Sequence, residues 1–289
     1  MKRITFISAV LFLFSYYNAL SQSAIPVRPL NHLTDFSLRG KVKSFKVTPY
    51  RAIDSMGIIR RGPKLETWTG DDISFFNQQG YKIEREKYTQ NEKLQLKVVI
   101  AYNDKNQRIT RNIYNTAGKI TAKYVYHYDK TGHKIAYNTY HTDGELIESW
   151  KYVNDNNGRE IEVTYHNYKN PILNQKFTYQ YNKLGKIHII TKINLKTGQP
   201  QEFWKYTYNN RGLIQVLENY KNNSLMYKIA IIYDNFGNEK SIRTIDKKGN
   251  YIEEKQYQYT FDSNGNWTER IEYTNLFPKV IYVRDINYY

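Results

Sequence analysis

Five rings fall in one register along this chain: Tyr124, Trp150, Phe177, Trp204 and Tyr257. Aromatic faces stack on sugar rings, and Lys151 and Lys205, each beside a tryptophan, bring charge that could meet acidic groups. The chemistry this set offers is ligand binding; the other reading is that the rings fill the inner face of a sheet. No group of residues is spaced for bond-making. His127, His133, His141, His166 and His188 lie in different segments without a compact ligand spacing, so no metal is expected. Asp71-Asp72 and Asp155-Asn156-Asn157-Gly158 have the look of cation loops but lack the Glu that ends one. Glu84 with Glu86, and Glu253 with Glu254, read as solvated sheet charges rather than acid–base pairs. No Ser-His-Asp arrangement is spelled locally. The chain reads as non-catalytic and without a cofactor.

The elements that must position these rings are strands. Turn residues recur at Gly80, Asn106, Gly132, Gly158, Gly185, Gly212, Gly237 and Gly265, about 26 residues apart, with a second series at Asn91, Gly118, Gly144, Asn170, Gly198, Asn223 and Gly249. Half-units this short leave no room for a helix, so successive strands are antiparallel neighbours. Segments such as Tyr128-Asp129-Lys130-Thr131-Gly132 and Tyr208-Asn209-Asn210-Arg211-Gly212 share one turn template: Asx bonds the backbone two residues on, and Gly supplies positive φ. The position two before each turn aromatic (Ile100, Tyr126, Tyr152, Tyr179, Tyr206, Ile231, Tyr259) and the position four before it are mostly apolar, and the residues between are polar. Ile83, Ile109, Ile135 and Ile161 add a further ladder to the apolar face. The fold class is all-β: a long antiparallel meander of about sixteen strands in 26-residue hairpin repeats, coiled as a single sheet or open shell.

Residues 1–21 read as a signal peptide, with Lys2 and Arg3 before an apolar run and small residues at Ala19 and Ser21. Losing them takes two charges from the formal +16 and leaves +14. Residues 22–71 read as a strand and loop that cap one sheet edge, and 72–289 as the repeat domain with a closing strand from Val280. The absence of Cys means that stability comes from the sheet and not from disulfides. Export to the periplasm, cell surface or medium is expected, with no transmembrane helix in the mature chain.

The Tyr-Asp/Asn-x-x-Gly units, together with Leu38-Arg39-Gly40-Lys41-Val42-Lys43-Ser44 and Phe261-Asp262-Ser263-Asn264-Gly265-Asn266-Trp267, resemble the YD-repeat (Rhs-type) family and small exported proteins of Bacteroidetes-type bacteria. The resemblance covers roughly residues 38 to 275 and implies β-hairpin ribbons that coil into shells. It says almost nothing of activity. Asn154 departs from it in place of the turn aromatic, as does Asn106 in place of Gly. The function expected is a binding or scaffold module at the envelope, for an anionic glycan or a protein partner, with no nucleic acid. Two alternatives are an immunity-like protector that pairs with a toxin and an outer-membrane β-barrel, the latter disfavoured by low overall hydropathy and short turns on both sides.

Overall fold

The computed structural model describes residues 32–65, 72–89 and 91–289. The signal segment and Asp71 lie outside them. Nineteen strands follow one another: β1 (Val42–Ser55), β2 (Ile58–Lys64), β3 (Asp72–Phe76), β4 (Lys82–Tyr88), β5 (Leu94–Tyr102), β6 (Arg108–Tyr114), β7 (Ile120–Tyr128), β8 (Lys134–Tyr140), β9 (Leu146–Asn154) and β10 (Glu160–Asn167); then β11 (Gln175–Tyr181), β12 (Ile187–Ile193), β13 (Pro200–Tyr208), β14 (Ile214–Lys221), β15 (Ser224–Tyr233), β16 (Glu239–Asp246), β17 (Tyr251–Phe261), β18 (Trp267–Thr274) and β19 (Phe277–Tyr288). From β3 to β19 each strand pairs antiparallel with the next, so the meander reads out as its sequence implies.

Its ends meet, which corrects the expectation of a coiled open sheet. Strand β1 pairs with β19 from Val42 to Arg51 and with β3 from Ser44 to Val47. The nineteen strands less β2 therefore form a closed ring of eighteen. Accumulated twist carries the last strand round to the first, and pairing there removes two exposed edges. The segment expected to cap an edge thus supplies a stave. Strand β2 pairs with β1 alone, beyond the ring, from Tyr50 to Ser55. Pro49 falls between the part of β1 that pairs with β3 and the part that pairs with β2, where a missing N–H leaves no ladder bond unmade.

The turns follow the template. In the β7–β8 connection the Gly132 N–H donates to the Asp129 carbonyl (3.1 Å), and Asp129 Oδ1 accepts from the His133 N–H (2.9 Å). Asn106 takes the left-handed conformation that Gly holds elsewhere, with φ 58°. After each of these turns one extra residue bulges from the ladder. Ile83, Ile109, Ile135 and Ile161 are such residues, which shifts the alternation and turns them outward, 36–41% exposed. They do not belong to the inner ladder as the count of two predicts.

The inner face carries the core: Trp150, Val163, Phe177, Ile190, Trp204, Leu217 and their neighbours in one cluster, and Val42, Phe45, Phe76 and Trp267 in a second at the seam. The second is completed by a short 3-10 helix, Leu33–Phe36, whose flanking backbone crosses the seam at the mouth of the ring. Leu33 N–H donates to the Gly80 carbonyl (2.9 Å) in the β3–β4 turn, and Arg39 N–H donates to Asn266 Oδ1 (2.8 Å) after the β17–β18 turn.

Candidate functional site in the barrel interior

One device ties each repeat to the previous one. The Tyr that ends an odd-numbered strand donates its hydroxyl to the carbonyl of the first residue of the preceding strand: Tyr102 to Lys82 (2.8 Å), Tyr128 to Arg108 (2.8 Å), Tyr181 to Glu160 (2.7 Å) and Tyr233 to Ile214 (2.8 Å). Asn154, which breaks the aromatic pattern, does the same with its amide toward Lys134 (3.0 Å). Phe261 has no hydroxyl, and Tyr259, two residues earlier, reaches the Glu239 carbonyl instead (2.8 Å). A carbonyl at the end of a ladder thereby gains a donor.

The ring set expected as a ligand groove is brought together on the inner face but is largely closed. Trp150, Phe177, Trp204 and Tyr257 are buried, and Tyr124 is half-buried. Trp150 packs against Tyr165 and Tyr137, at centroid distances of 4.5 and 5.7 Å. Lys151 and Lys205 lie on the opposite side of the wall, because adjacent residues of a strand face opposite ways. Lys151 is exposed and paired with Ala136 and Thr164; Lys205 is paired with Ile189 and the outward Glu218. Rings and lysines therefore do not form one groove. Each ring so buried stabilises the barrel by about 2–3 kcal/mol.

The polar candidates are occupied locally. Asp155 accepts from the Asn157 and Arg159 N–H groups and pairs with the Arg159 guanidinium, and these bonds hold its carboxyl below the usual range. Glu84 and Glu86 share Lys97 on the outer wall (2.7 and 3.7 Å). Glu253 and Glu254 face opposite ways, Glu254 holding Arg243. His133 sits in a turn with Thr131, and His188 lies by the Tyr206 carbonyl. Among the described residues no three or more His, Cys, Asp or Glu gather to hold a metal ion.

A different interior group stands out against the repeat. The fifth residue after each turn Gly or Asn faces inward and is Tyr137, Val163, Ile190, Leu217 and Ile242 in five units. In the first two units it is Arg85 and Arg111, and in the last it is Arg270. The second residue after the turn is Lys82 and Arg108 in those first two units, opposite Phe76 and Tyr102. Four cations from β4 and β6 thus converge on one stretch of inner wall. Arg85 pairs with Asp72 (2.5 Å), Arg111 lies over the Tyr124 ring (4.5 Å), Arg108 meets the Tyr126 hydroxyl (3.4 Å), and the Lys82 ammonium lies under Phe36 of the 3-10 helix (4.7 Å). Burial, then the fields of Arg85, Arg108 and Arg111, lower the Lys82 pKa to about 7. Burial outweighs Arg85 at Asp72 and raises its pKa. The sequence signal for Arg85 and Arg111 is the break in an otherwise apolar column, which a search for ligand spacings passes over; the column of Lys82 and Arg108 is mixed, with Lys134, Glu160 and Glu239 in later units.

No family model matches the chain, and no curated protein matches it. Solved structures give distant likenesses. A porin-like protein from Bacteroides uniformis is 10% identical, with 86% of this chain and 98% of that chain covered at a TM-score of 0.41. A porin-like protein from Bacteroides vulgatus is 11% identical, with 71% and 97% covered at a TM-score of 0.36. The Photorhabdus luminescens Tc holotoxin pore is 10% identical over 78% of this chain and 16% of that one, at a TM-score of 0.25. At these scores none of the three defines a shared fold.

Proposed function

We propose that this chain is an exported, non-catalytic β-barrel that serves the bacterial envelope as a binding or scaffold module, with its outer wall in water. The observation that carries the reading is the direction of the side chains. Along β7, Thr121, Lys123, Val125 and His127 face out while Ala122, Tyr124, Tyr126 and Tyr128 face in. The same division holds along β11, with Lys176, Thr178 and Gln180 outside and Phe177 and Tyr179 inside. Mid-wall ion pairs such as Lys176–Glu162 (2.8 Å) and Arg243–Glu254 (2.9 Å) suit a solvated surface. A lipid-facing wall has the reverse division, and a Lys or Arg at its midplane costs about 2–4 kcal/mol.

A second reading, the outer-membrane barrel, draws on the closure itself, since a lipid-embedded sheet tolerates no open edge. Against it, the seven-residue staves β4, β6, β8, β11 and β12 reach roughly 18 Å along a tilted barrel axis, short of the roughly 25 Å apolar band. Kinship with YD-repeat proteins, and pairing with a toxin, remain proposals that share the same polar outer wall as their contact surface. Fractionation of cells that make the full chain tests the choice. The expected result is recovery in the aqueous envelope or medium fraction without detergent; retention in outer membranes through high-salt and alkaline washes, with release only by detergent, overturns it.

A further inference from the structure

We infer that the mouth of the barrel at which β1 ends docks on an anionic phospholipid surface, led by the tip of the β1–β2 hairpin. This rests on the outer wall being water-facing, since the barrel must then meet a bilayer from outside. Strand directions bring three neighbouring hairpins to this mouth. Strand β1 runs antiparallel to β3 and β19, so its last residues lie by the β18–β19 turn, and the β16–β17 turn is the next along the ring. All three end in large apolar side chains. Met56 is fully exposed, and Ile58, Tyr251, Leu276 and Phe277 are 58–73% exposed. Ile172, in the β10–β11 connection of the same mouth, is exposed as well. In the turns of the opposite mouth the exposed large apolar residues, among those described, are Leu184 and Phe236, and Arg39 lies over the Phe236 ring (5.4 Å). Exposed apolar side chains gathered at one end mark a contact surface, where scattered ones need no explanation.

Charge selects the occupant. Arg51, Arg60, Lys247, Lys248 and Lys279 are exposed on the same three hairpins. Asp54 and Asp246, the acidic residues of the tips, hold their own turns: Asp54 accepts from the Gly57 N–H (2.8 Å), and Asp246 from the Lys248 and Asn250 N–H groups (2.8 and 2.9 Å). Apolar tips among cations fit the lipid–water boundary, where the apolar side chains enter beside the acyl chains and the cations stay with phosphate headgroups. A second copy of the chain would instead set these cations against their equals, which costs free energy. The leading tip is a fixed projection: Met56 and Gly57, with φ of 54° and 84°, form the two-residue turn that matches the twist of a hairpin.

Sedimentation of the full chain with vesicles of phosphatidylcholine alone, and of equimolar phosphatidylcholine and phosphatidylglycerol, decides the matter. Pelleting with the anionic vesicles only is expected at low ionic strength, with release at high salt, because screening weakens attraction to the surface. Met56→Asp and Leu276→Asp should each weaken it about tenfold. Both positions have positive φ, which Asp tolerates, and circular dichroism confirms that each variant is folded before it is scored. Lys247→Gln combined with Lys248→Gln should weaken it about tenfold or more. Leu184→Asp, at the other mouth, should shift it less than about twofold. No pelleting with anionic vesicles, equal pelleting with neutral ones, or equal weakening by Leu184→Asp overturns the inference. So does self-association in sedimentation velocity that Met56→Asp abolishes, which assigns the tips to a second copy. Protein that stays on the vesicles through high-salt and alkaline washes overturns the water-facing wall itself, whereas aqueous protein that ignores vesicles overturns the docking alone.

Discussion

The wall formed by β3 to β6 and the wall formed by β10 to β16 are built from the same hairpin, yet they present opposite interiors. Both use Asx turns, a bulge after the turn, and a tyrosine reaching back to the preceding strand. On β10 to β16 the inward columns are Val163, Phe177, Ile190, Leu217 and Ile242, all at or below 4% exposure. On β4 and β6 the places that match Val163, Ile190, Leu217 and Ile242 hold Arg85 and Arg111, with Lys82 and Arg108 beside them on the same face. The scaffold is thus separable from its lining: turns, bulges and hydroxyl locks specify the stave, and the inward columns are free to vary.

That separation is open to attack by mutation. The largest effect is expected where lining and stability coincide: Phe177→Ala should lower the unfolding free energy by about 3–5 kcal/mol, whereas Arg111→Met, which removes a repelling charge at similar volume, should leave the denaturation midpoint unchanged or raise it. A loss at Arg111 as large as that at Phe177 would show that both walls are packed alike. Next comes pH. Unfolded Lys82 holds its proton to its ordinary pKa of 10.5, and folded Lys82 releases it from about 7. Between those values the unfolded chain binds more protons, so stability should rise from pH 7 to about 9, below the range where unfolded tyrosines ionise. Lys82→Met should flatten that rise in a denaturation series; an unchanged slope would remove the basic wall from the account. The smallest effect sharpens what the walls share. Tyr102→Phe and Tyr233→Phe should each cost about 1 kcal/mol, because each leaves one carbonyl without its donor, and a clear inequality between them would mean that the lock is not a common part.

The stave was legible in the chain and the ring was not. Asx and Gly at fixed offsets spell the turn, and alternation places Tyr126, Tyr152 and Tyr179 on one face, because both are local rules. Pairing of Val42–Arg51 with Val280–Tyr288 joins residues more than 200 positions apart, and no period encodes it. Counting by two places Ile83 and its three equivalents on the inner ladder because it has no term for a bulge. Adjacency in sequence groups Lys151 and Lys205 with the rings beside them, although alternation itself sends neighbours to opposite sides. The interior cations were visible as exceptions in a column, but a column of exceptions is legible only once the inner face is known.

The seam between β1 and β19 carries one more implication. At its end the Tyr289 N–H donates to the Lys41 carbonyl (2.9 Å), so the end of β19 lies beside the residue that leads into β1. A short bridge from Tyr289 to the segment that enters β1 at Lys41 would let the molecule be reopened elsewhere, at the exposed Thr142-Asp143 turn for instance, without breaking a ladder bond between strands. In a ring of near-equivalent staves, first and last are labels of synthesis and not of architecture.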